Sequence, residues 1–170
     1  MRSIELMLDS PTETGIRGDW DRLDAAGLAS LARNSSSTNR PHLTVAAGPA
    51  IEPTDATVAA SAILPLSLSF GGLVLFGATT GKYVLSRSVV LSEQLADFHR
   101  AVHETITGAV DQTLPGRWTP HVTLARRLTR AEVCAALALL GRRTPDGTCV
   151  GLRLWDGESR SIRLLSAGTE

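Results

Sequence analysis

The chain has 170 residues, 43% of them hydrophobic, and its 17 lysines and arginines balance 17 aspartates and glutamates. That length and apolar content suit one domain with a substantial core, while a formal net charge of zero implies no long polyanion partner held by global electrostatics and leaves a small, locally bound anion open. The N-terminus, MRSIELMLDS, lacks a charged-then-apolar leader, and the most apolar region is broken by Pro65, Ser67, Ser69 and Gly71-Gly72 before it spans a bilayer, so a soluble cytoplasmic protein with no membrane association is expected.

In chain order, Ser3–Asp9 (SIELMLD) reads as an opening strand and Pro11–Gly18 as a turn-rich loop. Asp19 is placed to cap a helix running to about Asn34, with Trp20, Leu23, Leu28 and Leu31 as a rough inward stripe. The polar loop NSSSTNR leads into a strand at RPHLTVA, Arg40–Ala46. Pro53–Leu64 is alanine-rich and is expected to be helical until Pro65 stops it. LSLSF alternates strictly, GLVLFG is a continuous apolar run and KYVLSRSVV follows a TTG turn; together they predict three strands joined by tight antiparallel connections. Ser92 caps the clearest helix, where Leu95, Phe98, Val102, Ile106 and Ala109 recur at spacings of three and four until it frays near Gly108. The loop DQTLPGRW delivers a second strand, TPHVTLA, at Thr119–Ala125. Thr129 and Glu132 then stand in capping-box register for a helix carrying Val133, Leu137 and Leu140 and ended by Gly141. The tail reads as two strands about Asp156-Gly157.

The two halves repeat one order: helix, polar loop, Pro-His-aliphatic-Thr strand, short connection, alanine-rich helix. This is an internal duplication, and it predicts a two-lobed α+β domain over residues 1–170. In a strand, residues i and i+2 share a face, so His42 and Thr44 project together, as do His121 and Thr123, while Leu43 and Val122 turn to the core. The proline before each histidine favours a strand start or an edge. If the duplication is also a spatial two-fold, two imidazoles and two hydroxyls face one point across a cleft. Imidazole both gives and takes a proton near neutrality, and threonine hydroxyls donate to an anionic oxygen. The set suits phosphoryl chemistry without a metal. A single His-x-Thr is more often a satisfied structural histidine. A duplication that kept only packing residues explains Leu43, Val122 and the alanines, but not two polar residues on the non-core face.

PHLTVA and TPHVTLAR resemble the paired His-x-Thr signatures of the two-histidine (2H) phosphoesterase superfamily, in particular the bacterial branch named after 2′-5′ RNA ligase and RNA 2′,3′-cyclic phosphodiesterase. The length, the 79-residue offset from His42 to His121, the intervening strands and the LSEQLADFHRAVHETI helix extend the resemblance over most of the chain. It implies a bilobal duplicated fold in which antiparallel sheets line a central groove with helices outside. It also implies hydrolysis, or reversible ligation, of a phosphodiester involving a ribose 2′-oxygen. By that resemblance His121 activates water, His42 protonates the leaving oxygen, and Thr44 and Thr123 hold the non-bridging oxygens. The chain lacks the basic excess expected for long RNA, which shifts weight to a small nucleotide, a cyclic phosphate or a short RNA terminus. Arg126 and Arg40 are the nearest cations for a phosphate. Tyr83 is a candidate for stacking a base, against the commoner reading of a strand tyrosine as packing.

Other candidates carry less. His99 and His103 stand one helical turn apart, as in helical zinc sites, but Arg100 occupies the place of a metalloprotease glutamate and no third ligand is evident. Cys134 and Cys149 read as two reduced thiols. Trp20, Trp118 and Trp155 share no period and default to packing, Gly71-Gly72 precedes a strand and so makes no phosphate loop, and there is no Gly-x-Ser-x-Gly elbow. A monomer with no metal and no cofactor is expected. The alternatives to a phosphodiesterase are a nucleotide- or RNA-end-binding module without turnover, and a scaffold whose groove a partner covers.

Overall fold

A computed structural model of the chain describes residues 1–77, 81–141 and 146–167. Strand β1 (Arg2–Leu8) lies where the opening alternation predicts it. The next segment is not a loop. Helix α1 spans Ser10–Ala25, so Pro11–Gly18 is helical and Asp19 lies inside the helix instead of capping it. The cap is Asp9, whose side chain accepts from the Thr12 amide at 2.8 Å, and Pro11 sits in the first turn, where its missing N–H breaks no helical bond. Gly15 and Gly18 each cost about 1 kcal/mol relative to alanine, which is why the segment reads as a loop. Burial of Ile16, Trp20 and Leu23 offsets that at about 1.5–3 kcal/mol each. The helix ends at Ala25, short of Asn34, and Leu31–Arg33 form a separate 3-10 turn.

Strand β2 (His42–Gly48) begins directly after Pro41, and α2 (Asp55–Ala60) passes into a 3-10 turn at Ser61–Ile63 before Pro65. Then follow β3 (Leu66–Leu68), β4 (Phe70–Gly77), β5 (Tyr83–Val89) and α3 (Glu93–His103), which ends a turn before Gly108. The expected Thr79-Thr80-Gly81 turn lies partly outside the described residues. After β6 (His121–Leu128), α4 (Arg130–Leu139) opens with both halves of the Thr129–Glu132 capping box in place. Its buried face is Val133, Ala136 and Leu140; Leu137 is 44% exposed, against the expectation of an inward position. Strands β7 (Gly147–Asp156) and β8 (Ser161–Ala167) complete the chain. Among the described residues no helix is long and apolar enough to cross a membrane.

These strands make one antiparallel sheet in the order β3-β7-β1-β2-β6-β5-β4, with β8 also on β7. The hairpin of β4 and β5 is as expected, but β3 pairs with β7 and not with β4. Only Ser69 separates β3 from β4, and one residue cannot make a hairpin loop. Strands at opposite ends of the sheet order are thus tied by a single residue, and consecutive Cα atoms are about 3.8 Å apart. The sheet must therefore curl until its ends approach each other.

The halves meet where β2 pairs with β6, through Leu43↔Val122. On the covered face, Ile4, Leu6, Leu43, Val45, Val122 and Leu124 join Trp20, Leu23, Leu95, Phe98 and Val102 in one core. An ion pair crosses it: Arg87 Nε of β5 donates to Asp19 Oδ2 of α1 at 2.8 Å, with both side chains 2% exposed, and Arg87 Nη1 donates to the Gly141 carbonyl at 2.8 Å.

Candidate active site

Strands β2 and β6 share a burial pattern. Leu43, Val45 and Ala46 match Val122, Leu124 and Ala125, all at 0% exposure, while His42, Thr44, His121 and Thr123 are half-buried on the other face. With Leu43 opposite Val122, an approximate two-fold passes through that pair. One step along the antiparallel register in either direction brings His42 beside Thr123 and Thr44 beside His121. The structure thus gathers the four residues that the sequence singles out.

Both rings are held alike. Nδ1 of His42 donates to the Arg40 carbonyl and Nδ1 of His121 to the Thr119 carbonyl, each at 2.7 Å. A carbonyl only accepts, so each Nδ1 carries the hydrogen and Nε2 of the neutral ring is left as the proton acceptor. The threonine backbones are held crosswise: Trp20 Nε1 donates to the Thr123 carbonyl at 3.1 Å, and Trp118 Nε1 to the Thr44 carbonyl at 2.9 Å. Two tryptophans with no shared sequence period do the same work for opposite halves.

The surroundings of the two rings differ. Beneath His42, Glu5 of β1 and Arg153 of β7 form a buried ion pair, with Glu5 Oε1 at 3.5 Å from His42 Nε2. Across the register from His121 the neighbours are neutral: Ser88 stands opposite it and Ser86 opposite Thr123, and the Phe76 ring packs on the imidazole with centroids 4.6 Å apart. Burial pushes the His121 ring below the ordinary histidine value of 6.5; nearby His42 and Arg126 push the same way, against the Thr119 carbonyl. Arg126 is exposed and makes no salt bridge among the described residues. Arg40 contributes its carbonyl, but its guanidinium turns to Glu13, with Nη2 at 2.5 Å and Nε at 2.9 Å. Tyr83 packs against the core and pairs with Gly77 and Leu128; Phe76 is the aromatic against the histidine.

Glu5, Arg153 and Phe76 escape a reading of local motifs. In the sequence Glu5 and Arg153 stand only as charges between aliphatic residues, and their pairing joins positions 148 residues apart.

His99 and His103 serve the same neighbourhood from behind. Each spends Nε2 on a backbone carbonyl: His99 donates to Thr113 at 2.9 Å and His103 to Val45 of β2 at 3.2 Å. His99 also stacks on Trp118, with centroids 4.0 Å apart and planes 4° from parallel. Among the described residues no three potential metal ligands gather. Burial, and the neighbouring His103, push His99 down to about 4 from 6.5, against its carbonyl bonds. A group depressed on folding stabilises the native state above its unfolded value and loses that contribution as pH falls through the folded one. At about 1.4 kcal/mol per unit this amounts to about 3 kcal/mol between pH 6.5 and 4. Urea midpoints are expected to fall across that window, and less steeply in His99→Gln; equal slopes in both proteins refute the assignment.

A hollow of about 540 Å³ lies elsewhere, lined by Arg100, His103, Ile106 and Leu114 among others. It does not include the paired strands.

Comparison with known proteins points the same way as the paired strands. The family described as the 2'-5' RNA ligase superfamily matches residues 20–159. No curated protein sequence matches. Among solved structures, Kluyveromyces marxianus Usb1 with uridine monophosphate is similar at a TM-score of 0.53 and 13% identity, covering 96% of each chain. Usb1 from the same organism in a second structure gives 0.53 and 12%, again over 96% of each chain. At that identity the likeness is one of fold.

Proposed function

This chain belongs to the 2'-5' RNA ligase superfamily, and from that premise we propose that it is a metal-independent phosphodiesterase acting on 2′,3′-cyclic or 2′-5′-linked ribonucleotides. The observation that carries the reading is the matched pair of imidazoles on facing strands, each with Nδ1 spent on the carbonyl two residues back and Nε2 left to exchange a proton. Two proton-transfer groups on opposite sides of one phosphorus suffice for an in-line displacement. His121, neutral at physiological pH because burial lowers its affinity for a proton, takes the proton of the attacking water. His42 gives a proton to the ribose oxygen as its bond to phosphorus breaks. The hydroxyls of Thr44 and Thr123 donate to the non-bridging oxygens, whose charge rises in the transition state. Arg126 adds an exposed cation on the His121 side, and Phe76 offers an apolar ring for a base. The uridine monophosphate held by Usb1 supports a single nucleotide as the unit such a groove accommodates.

The test is a screen, with EDTA present, of the four nucleoside 2′,3′-cyclic monophosphates and a set of 2′-5′ dinucleotides. Turnover of at least one is expected. The acid limb of kcat/KM should lie below pH 6.5, because the base works only when unprotonated and His121 is lowered from that value. Tight binding of a cyclic phosphate with no product after long incubation overturns catalysis and leaves a nucleotide-binding module on this fold.

A further inference from the structure

The two-fold through Leu43 and Val122 also relates β1 to β5, and matched positions on these strands carry different chemistry. Glu5 lies opposite Thr44 where Ser86 lies opposite Thr123, and Met7 lies opposite His42 where Ser88 lies opposite His121. The Glu5 carboxylate is 4% exposed and the Arg153 side chain 2%. Glu5 accepts from the Ser3 hydroxyl at 2.5 Å and from Arg153 Nε at 2.8 Å. Its Oε1 is 3.5 Å from His42 Nε2, and Arg153 Nη2 is 3.4 Å from His42 Nδ1. That last approach is a charge contact and not a hydrogen bond, because Nδ1 already gives its hydrogen to Arg40. A buried ion pair is seldom the most stable filling for its space. The other half fills the place matching Glu5 with a serine, so packing alone does not explain why the ion pair sits beneath one histidine only.

We propose that Glu5 and Arg153 are positioning residues that make the two histidines unequal, keeping His42 as the proton donor, so that water attacks from the His121 side and the leaving oxygen departs on the His42 side. This rests on the phosphodiesterase reading. The balance is simple: as the new P–O bond forms, the water proton passes to His121 Nε2, and as the old P–O bond breaks, the proton on His42 Nε2 passes to the departing oxygen. The charged and titratable groups facing His42 are Glu5 from β1, Arg153 from β7 and His121 from β6. The Arg40 side chain beside it is turned to Glu13. The carboxylate faces Nε2, the atom that carries the transferred proton, and so favours the protonated ring, while the guanidinium lies on the Nδ1 side, opposes it and holds the carboxylate in place. Removing either leaves the other acting alone, with opposite consequences.

The experiment compares pH profiles of kcat/KM for the parent, Glu5→Gln, Arg153→Gln and the double variant on the cyclic nucleotide that the screen identifies. Glu5→Gln should move the basic limb toward acid by about one unit, Arg153→Gln should move it toward base, and the double variant should lie between Glu5→Gln and the parent. Ser86→Ala, in the matching position of the other half, should leave that limb in place. An NMR titration of the His42 ring, recorded without substrate, should follow the same order. It decides the coupling even where turnover is lost, and it separates this inference from the phosphodiesterase reading. Ring shifts in the stated directions in a protein that turns over nothing uphold the charge coupling and sink the catalytic reading. An unmoved limb and ring in both single variants, or movement of both in one direction, overturn the inference. If Arg153→Gln does not fold, the acidward move in Glu5→Gln and its partial reversal in the double variant carry the same decision.

Discussion

His121→Ala is expected to lower kcat for the cyclic phosphate by about 10²–10⁴-fold, the usual worth of a well-placed proton-transfer group, with little change in the urea midpoint. The ring is half-buried on the non-core face, and its neighbours Val122 and Leu124 hold the strand in the core without it. His42→Ala should fall by a similar factor. The double variant should fall by much less than the product of the two, because base and acid act in the same displacement and neither retains its full value alone. Under the proposed mechanism the reaction is expected to proceed slowly in each variant, since Thr44, Thr123 and Arg126 would remain to hold the phosphate. Rates for either single variant within threefold of the parent, at matched pH and with EDTA present, would remove the basis for the catalytic reading.

The largest expected loss of stability lies on the other face of the sheet. Asp19→Ala strips the counter-charge from Arg87, whose side chain is 2% exposed and keeps, among the described residues, only the Gly141 carbonyl as a partner. Removing one member of a buried pair costs about 3–5 kcal/mol, a large part of the stability of a domain. Asp19→Leu combined with Arg87→Met should be nearly neutral by comparison, since no charge is then stranded. Urea unfolding of the three proteins checks both statements. A loss below about 1 kcal/mol in Asp19→Ala would mean that Arg87 finds water or another acceptor. Arg22, which also contacts Asp19 from the solvent side, cannot substitute, because a guanidinium accepts no hydrogen bond and carries the same charge as Arg87.

What the sequence discloses follows from how local each signal is. The His-x-Thr strands are legible because alternation, a preceding proline and a repeated spelling all lie within a few residues, and the Thr129–Glu132 capping box is equally self-contained. Helix α1 is misread because Pro11, Gly15 and Gly18 look like loop residues, and because Asp19 resembles a cap when the cap is Asp9. What overrides composition there is burial of Ile16, Trp20 and Leu23, which only tertiary structure supplies. The partner of β3 is hidden for the same reason: its neighbour in sequence is β4, but its neighbour in space begins at Gly147. Within the site, the four polar residues of the twin strands are legible, and the unequal surroundings of the two rings are not, because Glu5 meets Arg153 and His121 meets Phe76 only through sheet register and curvature.

Strand β1 is translated well before β7, yet it lies between β2 and β7, with Arg2 in register with Asp156. Until β7 has been translated, a nascent chain holds β1 with one bare edge and a carboxylate at Glu5 that lacks its guanidinium. Pairings this distant in sequence slow folding and prolong the exposure of unpaired edges. The His42 half is therefore expected to complete its pairing after the His121 half, whose strands β4, β5 and β6 are all made before β7, and premature stops before Arg153 should yield insoluble protein and not a half-active fragment.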